Sequence, residues 1–264
     1  MVKSADRVLQ ILEIIGLERE GITHGELSVN LQIPKSSLTS LLGNLVSRGY
    51  LTTNGGDRRY RLGPRVLVLA ARYLNGLDLV ELGHPVIRKL TRAIDESSEI
   101  AIQKGDEIMI ICKEDSSRPL GRMIQLGDRA PMYATAAGKV ILAHLPEEEI
   151  ARYLSNVDFT PITPSTITDQ KVLARELEAI RSGAVGRCGE ELHEGITAIA
   201  SPVFDLYGRV AASIVLPIPS IRFSADKEKR AERMLRSAAE ELSHQLGFDR
   251  DSKRGGSRRP RIKA

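Results

Sequence analysis

Helical segments and a basic hairpin follow one another at the N-terminus, and their order restricts the fold more than any other feature of the chain. Apolar residues recur at helical spacing before Gly21, which ends the first helical pattern. Thr23 and Glu26 then fit a capping box at the start of a second helix, because each side chain can satisfy an unpaired backbone N–H group. Pro34 breaks that helix before a third pattern begins, so the sequence predicts a helix-turn-helix arrangement.

The third helical pattern separates apolar from polar residues. Its buried stripe falls at i, i+3, i+4 and i+7 and consists of Leu38, Leu41, Leu42 and Leu45. Short hydroxyl and amide side chains on the opposite face allow the backbone to approach base edges in a DNA major groove. The candidate groove residues are Lys35, Ser36, Ser37, Thr39, Ser40 and Asn44. Taken alone, this helix fits equally well a three-helix domain with a solvated polar face.

A basic hairpin follows the third helix. Residues 50–53 and 58–62 are predicted strands joined by a tight turn at Asn54-Gly55-Gly56-Asp57. We assign the three arginines of the returning strand to the phosphate groups of a DNA backbone, and they are Arg58, Arg59 and Arg61. A helix-turn-helix followed by such a hairpin predicts a winged-helix DNA-binding domain over residues 1–63. A hairpin that serves only solubility is the less favoured alternative.

Charge is distributed unevenly along the chain. The 264 residues carry a formal charge of +4, yet residues 76–248 contain 21 Lys/Arg against 26 Asp/Glu. Residues 1–75 contain 10 Lys/Arg against 6 Asp/Glu, and residues 249–264 contain 7 Lys/Arg against 2 Asp/Glu. Basic ends around an acidic middle predict that only part of the chain contacts a polyanion. The last of these segments is too polar to fold and is predicted to be a disordered basic tail.

Hydropathy and cysteine usage limit the protein class. No apolar run approaches the ~18 residues that a membrane helix needs. The N-terminus lacks the pattern of a signal peptide, so we expect a cytoplasmic protein that is associated with the nucleoid when it is bound to DNA. Cys112 and Cys188 supply neither a disulfide framework nor a four-cysteine zinc site, and we expect both thiols to be reduced.

A helical linker is predicted after the hairpin. Gly63-Pro64 opens a helical pattern, because proline is tolerated at the first position of a helix. We assign residues 64–78 to a linker and dimerisation helix, since its apolar stripe needs a partner that a lone linker does not provide. A further helical pattern begins at Leu79 and completes the connection to the rest of the chain.

The acidic middle predicts an α+β domain over residues 79–248. From Ile100 the apolar period changes to that of strands, and hairpins then alternate with helices, as in a domain built around an antiparallel sheet. The predicted strands lie near residues 100–112, 120–124, 184–188, 196–204 and 209–216. The segment 127–131 is predicted to be a loop.

Short motifs along the chain occur in an order that is typical of one protein family. They are Ser4-Ala5-Asp6-Arg7-Val8-Leu9, Ile33-Pro34-Lys35-Ser36-Ser37, Arg48-Gly49-Tyr50-Leu51, Tyr60-Arg61-Leu62-Gly63, Ala134-Thr135-Ala136-Ala137-Gly138-Lys139, Glu191 with Gly195-Ile196, and Ala200-Ser201-Pro202-Val203. Together they resemble the IclR family of bacterial transcriptional regulators over about residues 4–248. The resemblance implies an N-terminal winged helix-turn-helix, a linker helix used in dimerisation and a C-terminal GAF-like effector-binding domain.

The function implied by this resemblance is ligand-responsive transcription regulation, by repression or activation. Double-stranded operator DNA would be bound by a homodimer or by a dimer of dimers, a homotetramer. Relatives often carry arginine at the position of Ser40, so the base or phosphate contact expected there is either missing or supplied differently.

The resemblance also implies a small-molecule site in the C-terminal domain. The effector residues that it implies are Met132, Ala136, Ala137, Cys188, Ala198 and Val215. In relatives that bind small oxoacids the Cys188 position is commonly acidic and the Ala198 position can be cysteine. The resemblance therefore implies a different and less polar effector here. The same side chains are ordinary core residues if no ligand is bound.

An enzyme that converts a metabolite, with the N-terminal unit as an assembly module, is the main alternative. The sequence has no Gly-x-Ser-x-Gly, Walker, dinucleotide-binding or His-Glu-x-x-His motif, and its five histidines are scattered. Glu190 and His193 are spaced for a metal ion only if their segment is helical, whereas we predict an acidic loop. We therefore expect no catalytic residue, no metal site and no cofactor. A purely architectural DNA-binding protein is disfavoured because it leaves the acidic domain without a role.

Overall fold

The computed structural model describes residues 3–18, 20–53, 58–75, 78–118 and 125–249, with the backbone alone for 70–75. The chain divides into two compact units, Met1–Leu77 and Asp78–Ala264. The turn predicted at 54–57, the strand predicted at 120–124 and all of the predicted basic tail except Asp249 lie outside the described residues. Among the residues described, no helix is both long enough and apolar enough to cross a membrane.

The first unit combines helices with a small antiparallel sheet whose strand order is β1-β3-β2. Its elements are α1 (Lys3–Leu17), β1 (Ile22–Thr23), α2 (His24–Asn30), α3 (Lys35–Ser47), β2 (Leu51–Thr53), β3 (Arg59–Leu62) and α4 (Pro64–Asn75). Ile11, Leu27, Leu38 and Leu42 are fully buried and form the centre of its core. The helix-turn-helix order predicted from the sequence is confirmed. Strand β1 was not predicted, because two residues are too short to show a period.

Local hydrogen bonds explain where α2 begins. The Thr23 backbone N–H donates to Glu26 Oε2 at 2.8 Å, and the Glu26 backbone N–H donates to Thr23 Oγ1 at 3.3 Å. The predicted capping box is therefore confirmed. These contacts also hold the pKa of the Glu26 carboxyl below its ordinary value, chiefly through the backbone hydrogen bond from Thr23.

A close approach of two glycines fixes the path from the hairpin into α4. Gly49 has a φ of +76°, and the Arg65 backbone N–H donates to its carbonyl oxygen at 3.0 Å. Gly63 lies against the same carbonyl, so that a Cβ atom at this position would overlap it. The Gly63 N–H donates to Tyr50 O at 2.7 Å. Glycine is required at both positions for these contacts to form.

The second unit is built on a six-stranded antiparallel sheet with the strand order β6-β5-β4-β9-β8-β7. Its elements are α5 (Leu79–Ile94), β4 (Ser98–Lys104), β5 (Glu107–Glu114), β6 (Arg129–Pro131), α6 (Ala136–His144), α7 (Glu147–Asn156), α8 (Gln170–Arg181), β7 (Gly186–Gly189), β8 (Ile196–Phe204), β9 (Val210–Pro219) and α9 (Ala225–Gln245). Helices α5 and α9 pack on the sheet face that includes Ile100, whereas α6 packs on the face that includes Ala101 and Ile108. The predicted α+β class is confirmed.

Strand boundaries differ from the prediction at several places, and β6 and the end of β9 differ most. The loop predicted over residues 127–131 is wrong, because Arg129–Pro131 forms β6 and pairs with β5. Three residues are too few for a strand pattern to be visible in sequence. Strand β9 also continues past Leu216, the predicted end, to Pro219. Its ladder with β4 ends at Val215, so Pro217 does not interrupt a hydrogen-bonded pair on that side.

A buried lysine holds α6 in position. The Lys139 ammonium has no exposed surface and donates to both carboxylate oxygens of Glu191 at 2.6 and 2.8 Å. It also donates to Glu176 Oε2 on α8 at 2.7 Å and to Arg187 O on β7 at 3.1 Å. At Gly138 a Cβ atom would overlap the backbone of Met132, so α6 begins tightly against the preceding turn. The ammonium thus ties α6 to both of its neighbours.

Substitution of Lys139 with methionine should lower the free energy of unfolding by about 3 to 5 kcal/mol, because the buried carboxylate of Glu191 loses its partner. Urea denaturation of the full chain measures this change. Lys171→Met, at an exposed position of α8, is the matched control and should change stability by less than about 0.5 kcal/mol. Equal effects of the two substitutions would contradict the role assigned to the buried ammonium.

Candidate DNA-binding surface and effector cavity

One face of α3 is polar, exposed and almost uncharged. Its buried side consists of Leu38, Leu42 and Leu45. Of the candidate groove residues, Ser37 is half-buried and the others are exposed, namely Lys35, Ser36, Thr39, Ser40 and Asn44. The structure thus places these residues on the side of the helix that faces away from the core, with the cation at its N-terminal end.

Two hydroxyl groups on this face donate to carbonyl groups of the helix itself. Thr39 Oγ1 donates to Lys35 O at 2.8 Å, and Ser40 Oγ donates to Ser36 O at 3.3 Å. Their oxygen lone pairs remain on the outer side, where they can accept hydrogen bonds. His24 Nε2 on α2 lies 3.0 Å from Thr39 Oγ1 and adds a half-buried residue that the sequence analysis missed. The contact joins residues on two helices, and no local sequence pattern reveals it.

The N-terminus of α3 has no side-chain cap. Pro34 occupies the N-cap position and makes no capping hydrogen bond. The first backbone N–H groups of a helix have no partner within the helix, and together with the helix dipole they favour an anion. Lys35 lies at this end and adds positive charge. The start of α3 is therefore suited to a phosphate group.

The three arginines of the hairpin differ in their surroundings. Arg58 is exposed and has a φ of +52° just before β3. Arg59 Nη1 donates to Gly21 O at 2.8 Å and lies 3.6 Å from Glu26 Oε2. Arg61 Nη2 donates to Glu20 O at 2.8 Å. Arg59 and Arg61 therefore fasten β3 to the turn after α1, a role that the sequence analysis did not assign to them.

The second unit contains a cavity between the sheet and the N-terminus of α6. About 500 Å³ of space lies between the protein atoms here, a volume that includes open solvent at the cavity mouth. The lining residues are Glu99, Ile108, Ile110, Thr135, Ala136, Ala137, Cys188, Leu192, His193, Ile196, Ala198, Val215 and Pro217. Most of this surface is apolar, with a small number of polar groups, as is usual for small-molecule sites.

Six effector residues are implied by the family resemblance. Five of them lie on the wall of this cavity, and they are Ala136, Ala137, Cys188, Ala198 and Val215. Met132 is fully buried and packs with its backbone against Gly138, behind the wall. The Cys188 thiol donates to Ala134 O at 3.2 Å. Burial raises the pKa of this thiol, so it lies in the cavity as a neutral and weakly polar group.

Glu99 is the residue of the cavity that the sequence analysis missed. It lies on β4 between Lys113 of β5 and Val215 of β9, and only 2% of its surface is exposed. Burial raises the pKa of its carboxyl to about 7, a shift that Lys113 opposes and Asp115 reinforces. Oε1 has no hydrogen-bond partner among the residues that the structure describes. Side chains along a strand alternate between the two faces of a sheet, so Glu99 shares a face with Ala101. This alternation was the sequence signal that could have indicated an inward position for Glu99.

The acidic segment after β7 has structural contacts. Glu191 pairs with Lys139, and Glu190 Oε2 accepts a hydrogen bond from the Gly195 N–H at 3.1 Å. Burial raises the pKa of the Glu191 carboxyl, and the adjacent ammonium opposes this shift. Within the described ranges, no three His, Cys, Asp or Glu side chains come together as ligands for a metal ion.

Comparisons with known proteins match both units. The family model described as the IclR helix-turn-helix domain matches residues 4–55, and the model described as the bacterial transcriptional regulator IclR C-terminal matches residues 71–244. The HTH-type transcriptional regulator KdgR of Escherichia coli (strain K12) is 35% identical over 248 residues, which is 94% of each chain.

Two solved structures are similar to the described fold. The Agobacterium tumefaciens repressor BlcR has a TM-score of 0.84 and 25% identity, over 94% of this chain and 99% of that chain. The C-terminal domain of the E. coli transcriptional regulator KdgR has a TM-score of 0.60 and 34% identity, over 65% of this chain and 100% of that chain.

The raised pKa of Glu99 makes stability depend on pH. The pKa of Glu99 in the folded protein, about 7, exceeds the ordinary value of 4.5. The contribution of Glu99 to the free energy of unfolding is therefore fully present below pH 4.5 and is lost as the pH rises through about 7. The unfolding free energy of the wild type minus that of Glu99→Gln should therefore fall by about 2 kcal/mol between about pH 5 and pH 8. Urea denaturation at both pH values measures it. A difference that does not change with pH would contradict the buried carboxyl.

Proposed function

Because the chain belongs to the IclR family of bacterial transcriptional regulators, we propose that it reads operator DNA with the exposed face of α3 and binds an effector in the cavity beside α6. The protein is a ligand-responsive DNA-binding regulator, with the effector-binding domain at its C-terminal side. The observation that carries the residue-level proposal is the polar, almost uncharged face of α3 opposite its buried leucines.

The composition of that face suits a DNA major groove. An α-helix fits the groove, and short side chains allow its backbone to come close to the base edges. Thr39 and Ser40 present hydroxyl oxygens, and the Asn44 amide can both donate to and accept from an adenine. Lys35, Ser36 and Ser37 lie at the N-terminal end of α3 and are proposed to contact a phosphate.

The hairpin adds positive charge beside α3. Arg58 is exposed and is proposed to contact a phosphate directly. Arg59 and Arg61 hold β3 against the turn after α1 and are proposed to reach the phosphate backbone from that position. In this division of roles the arginines position the unit on the duplex, and the α3 side chains select the sequence.

We further propose that α4 contributes to self-association. Among its side chains that the structure describes, Leu67, Val68 and Leu69 are large, apolar and exposed, and Leu67 is 72% exposed. Large apolar side chains that are exposed on a helix suit contact with a second copy of the chain. A dimer or a dimer of dimers would place recognition helices on half-sites about 34 Å apart, or a multiple of that distance. The protein would act in the cytoplasm and be associated with the nucleoid when it is bound to DNA.

The cavity residues limit the effector to a small molecule. Ala136, Ala137 and Ala198 leave space, and the neutral Cys188 thiol adds little polarity. We propose that these residues and Val215 contact the effector and that Met132 supports them from behind. Effector and DNA are coupled if the effector binds one arrangement of the dimer more tightly than another. Repression or activation then depends on which arrangement fits the operator.

Replacement of Arg58 with alanine should reduce the slope of log K against log salt for binding to a DNA fragment by about one unit, because one phosphate contact and its counterion are lost. Arg233→Ala, at an exposed position of α9, is the matched control and should leave the slope unchanged. Fluorescence anisotropy at several salt concentrations measures both slopes. Identical slopes for wild type and Arg58→Ala would remove Arg58 from the DNA interface.

A further inference from the structure

We propose that Glu99 is the polar anchor of the effector cavity and that it binds a neutral hydroxyl group of the effector. The inference deepens the proposed function and rests on it, since it states the chemistry of the ligand that the cavity takes. It assigns Glu99 to a contact that neither the family resemblance nor the comparisons provide.

The position of the carboxyl group carries the proposal. Glu99 points into the cavity from the centre of the sheet, where apolar side chains surround it, among them Ile108, Ile110 and Val215. It is 2% exposed, and its Oε1 has no partner among the described residues. A buried polar atom without a hydrogen bond is destabilising, and native proteins rarely retain one without a compensating role. A ligand that supplies the missing hydrogen bond is such a role.

The charges around Glu99 favour a neutral group over a cation. Lys113 lies directly opposite on β5, with its ammonium 3.1 Å from Asp115. Ala136 and Ala137 lie at the N-terminus of α6, where the helix dipole gives a positive potential. A cationic ligand would lie near the Lys113 ammonium and the positive N-terminus of α6, and both would repel it. His193 and Cys188 are the other titratable groups on the wall, and neither supplies a negative charge to balance a cation.

A hydroxyl group matches both forms of the carboxyl. It donates to Oε1 when Glu99 is ionised, and it accepts the carboxyl proton when Glu99 is protonated. Burial brings the pKa of Glu99 to about 7, so both forms are present at neutral pH. The hydrocarbon part of the same ligand would lie against the isoleucines and alanines of the wall. A compact molecule with an apolar body and at least one hydroxyl group therefore fits the cavity best.

Matched ligand pairs that differ by one hydroxyl group test this proposal. The probes are butyrate against 3- and 4-hydroxybutyrate, benzoate against 3- and 4-hydroxybenzoate, and toluene against benzyl alcohol. Calorimetry with the full chain gives their dissociation constants. In at least one pair, the hydroxylated member should bind the wild type about 10-fold more tightly than its partner, as expected for one buried hydrogen bond.

Variants at position 99 assign this preference to the carboxyl. Glu99→Met is similar in length and makes no strong hydrogen bond, so it should abolish the difference within the pair. Glu99→Gln can still form a hydrogen bond and should keep most of the preference for the hydroxylated probe. This variant serves as the second test if Glu99→Met folds poorly. Glu148→Met replaces an exposed glutamate of α7 as the matched control and should bind like the wild type.

Two results would overturn the proposal. One is a panel in which no hydroxylated probe binds the wild type better than its partner, and the other is a preference that persists in Glu99→Met. Thermal unfolding gives an independent check. Glu99→Met should raise Tm by about 2 °C or more, because it removes an unpartnered buried carboxyl. A fall in Tm would show that the carboxyl has a partner within the protein, and this too would overturn the proposal.

DNA binding by the same wild-type preparation separates this proposal from the proposed function. If the protein binds a hydroxylated probe through Glu99 but retains no genomic DNA fragment, the proposed function fails and the assignment of Glu99 stands. If it retains specific fragments and shows no hydroxyl preference, the assignment of Glu99 fails and the proposed function stands.

Discussion

The ammonium group of Lys139 is the contact on which the C-terminal unit depends. It lies without exposed surface among Glu191, Glu176 and the Arg187 carbonyl, and it thereby joins α6 to α8 and β7. A buried ion of this kind is retained only when its hydrogen bonds are complete. Because α6 is fixed in this way, its N-terminus with Ala136 stays at one position above the sheet. The cavity exists because the helix is held there.

The N-terminal unit separates positive charge from the side chains proposed to select sequence. Lys35 and the arginines of the hairpin supply charge around α3, whereas the middle of the exposed α3 face carries only hydroxyl and amide groups. Phosphate contacts add affinity for any duplex, and base contacts distinguish one duplex from another. Arg59 and Arg61 also stabilise the unit through the turn after α1. Their substitution would therefore change folding and DNA binding together.

Local patterns in the sequence predicted most elements of the fold, and long-range contacts account for what they missed. The capping box of Thr23 and the apolar stripe of α3 lie within a few residues, so the sequence reveals them directly. Strands β1 and β6 contain two and three residues and exist only through pairing with β3 and β5. No local pattern distinguishes Glu99 from other charged residues, because its cavity forms from segments more than 100 residues apart in the chain. The family resemblance, and no local pattern, indicated five of the other wall residues.

In the proposed function, the face of α3 distinguishes one DNA sequence from another. Selection of bound duplexes from a random-sequence pool by the full chain, followed by sequencing, tests it most directly. The account predicts convergence on a short motif that occurs twice, with centres about 34 Å apart or a multiple of that distance. A pool that is retained through its charge but shows no enriched motif after repeated rounds would contradict it.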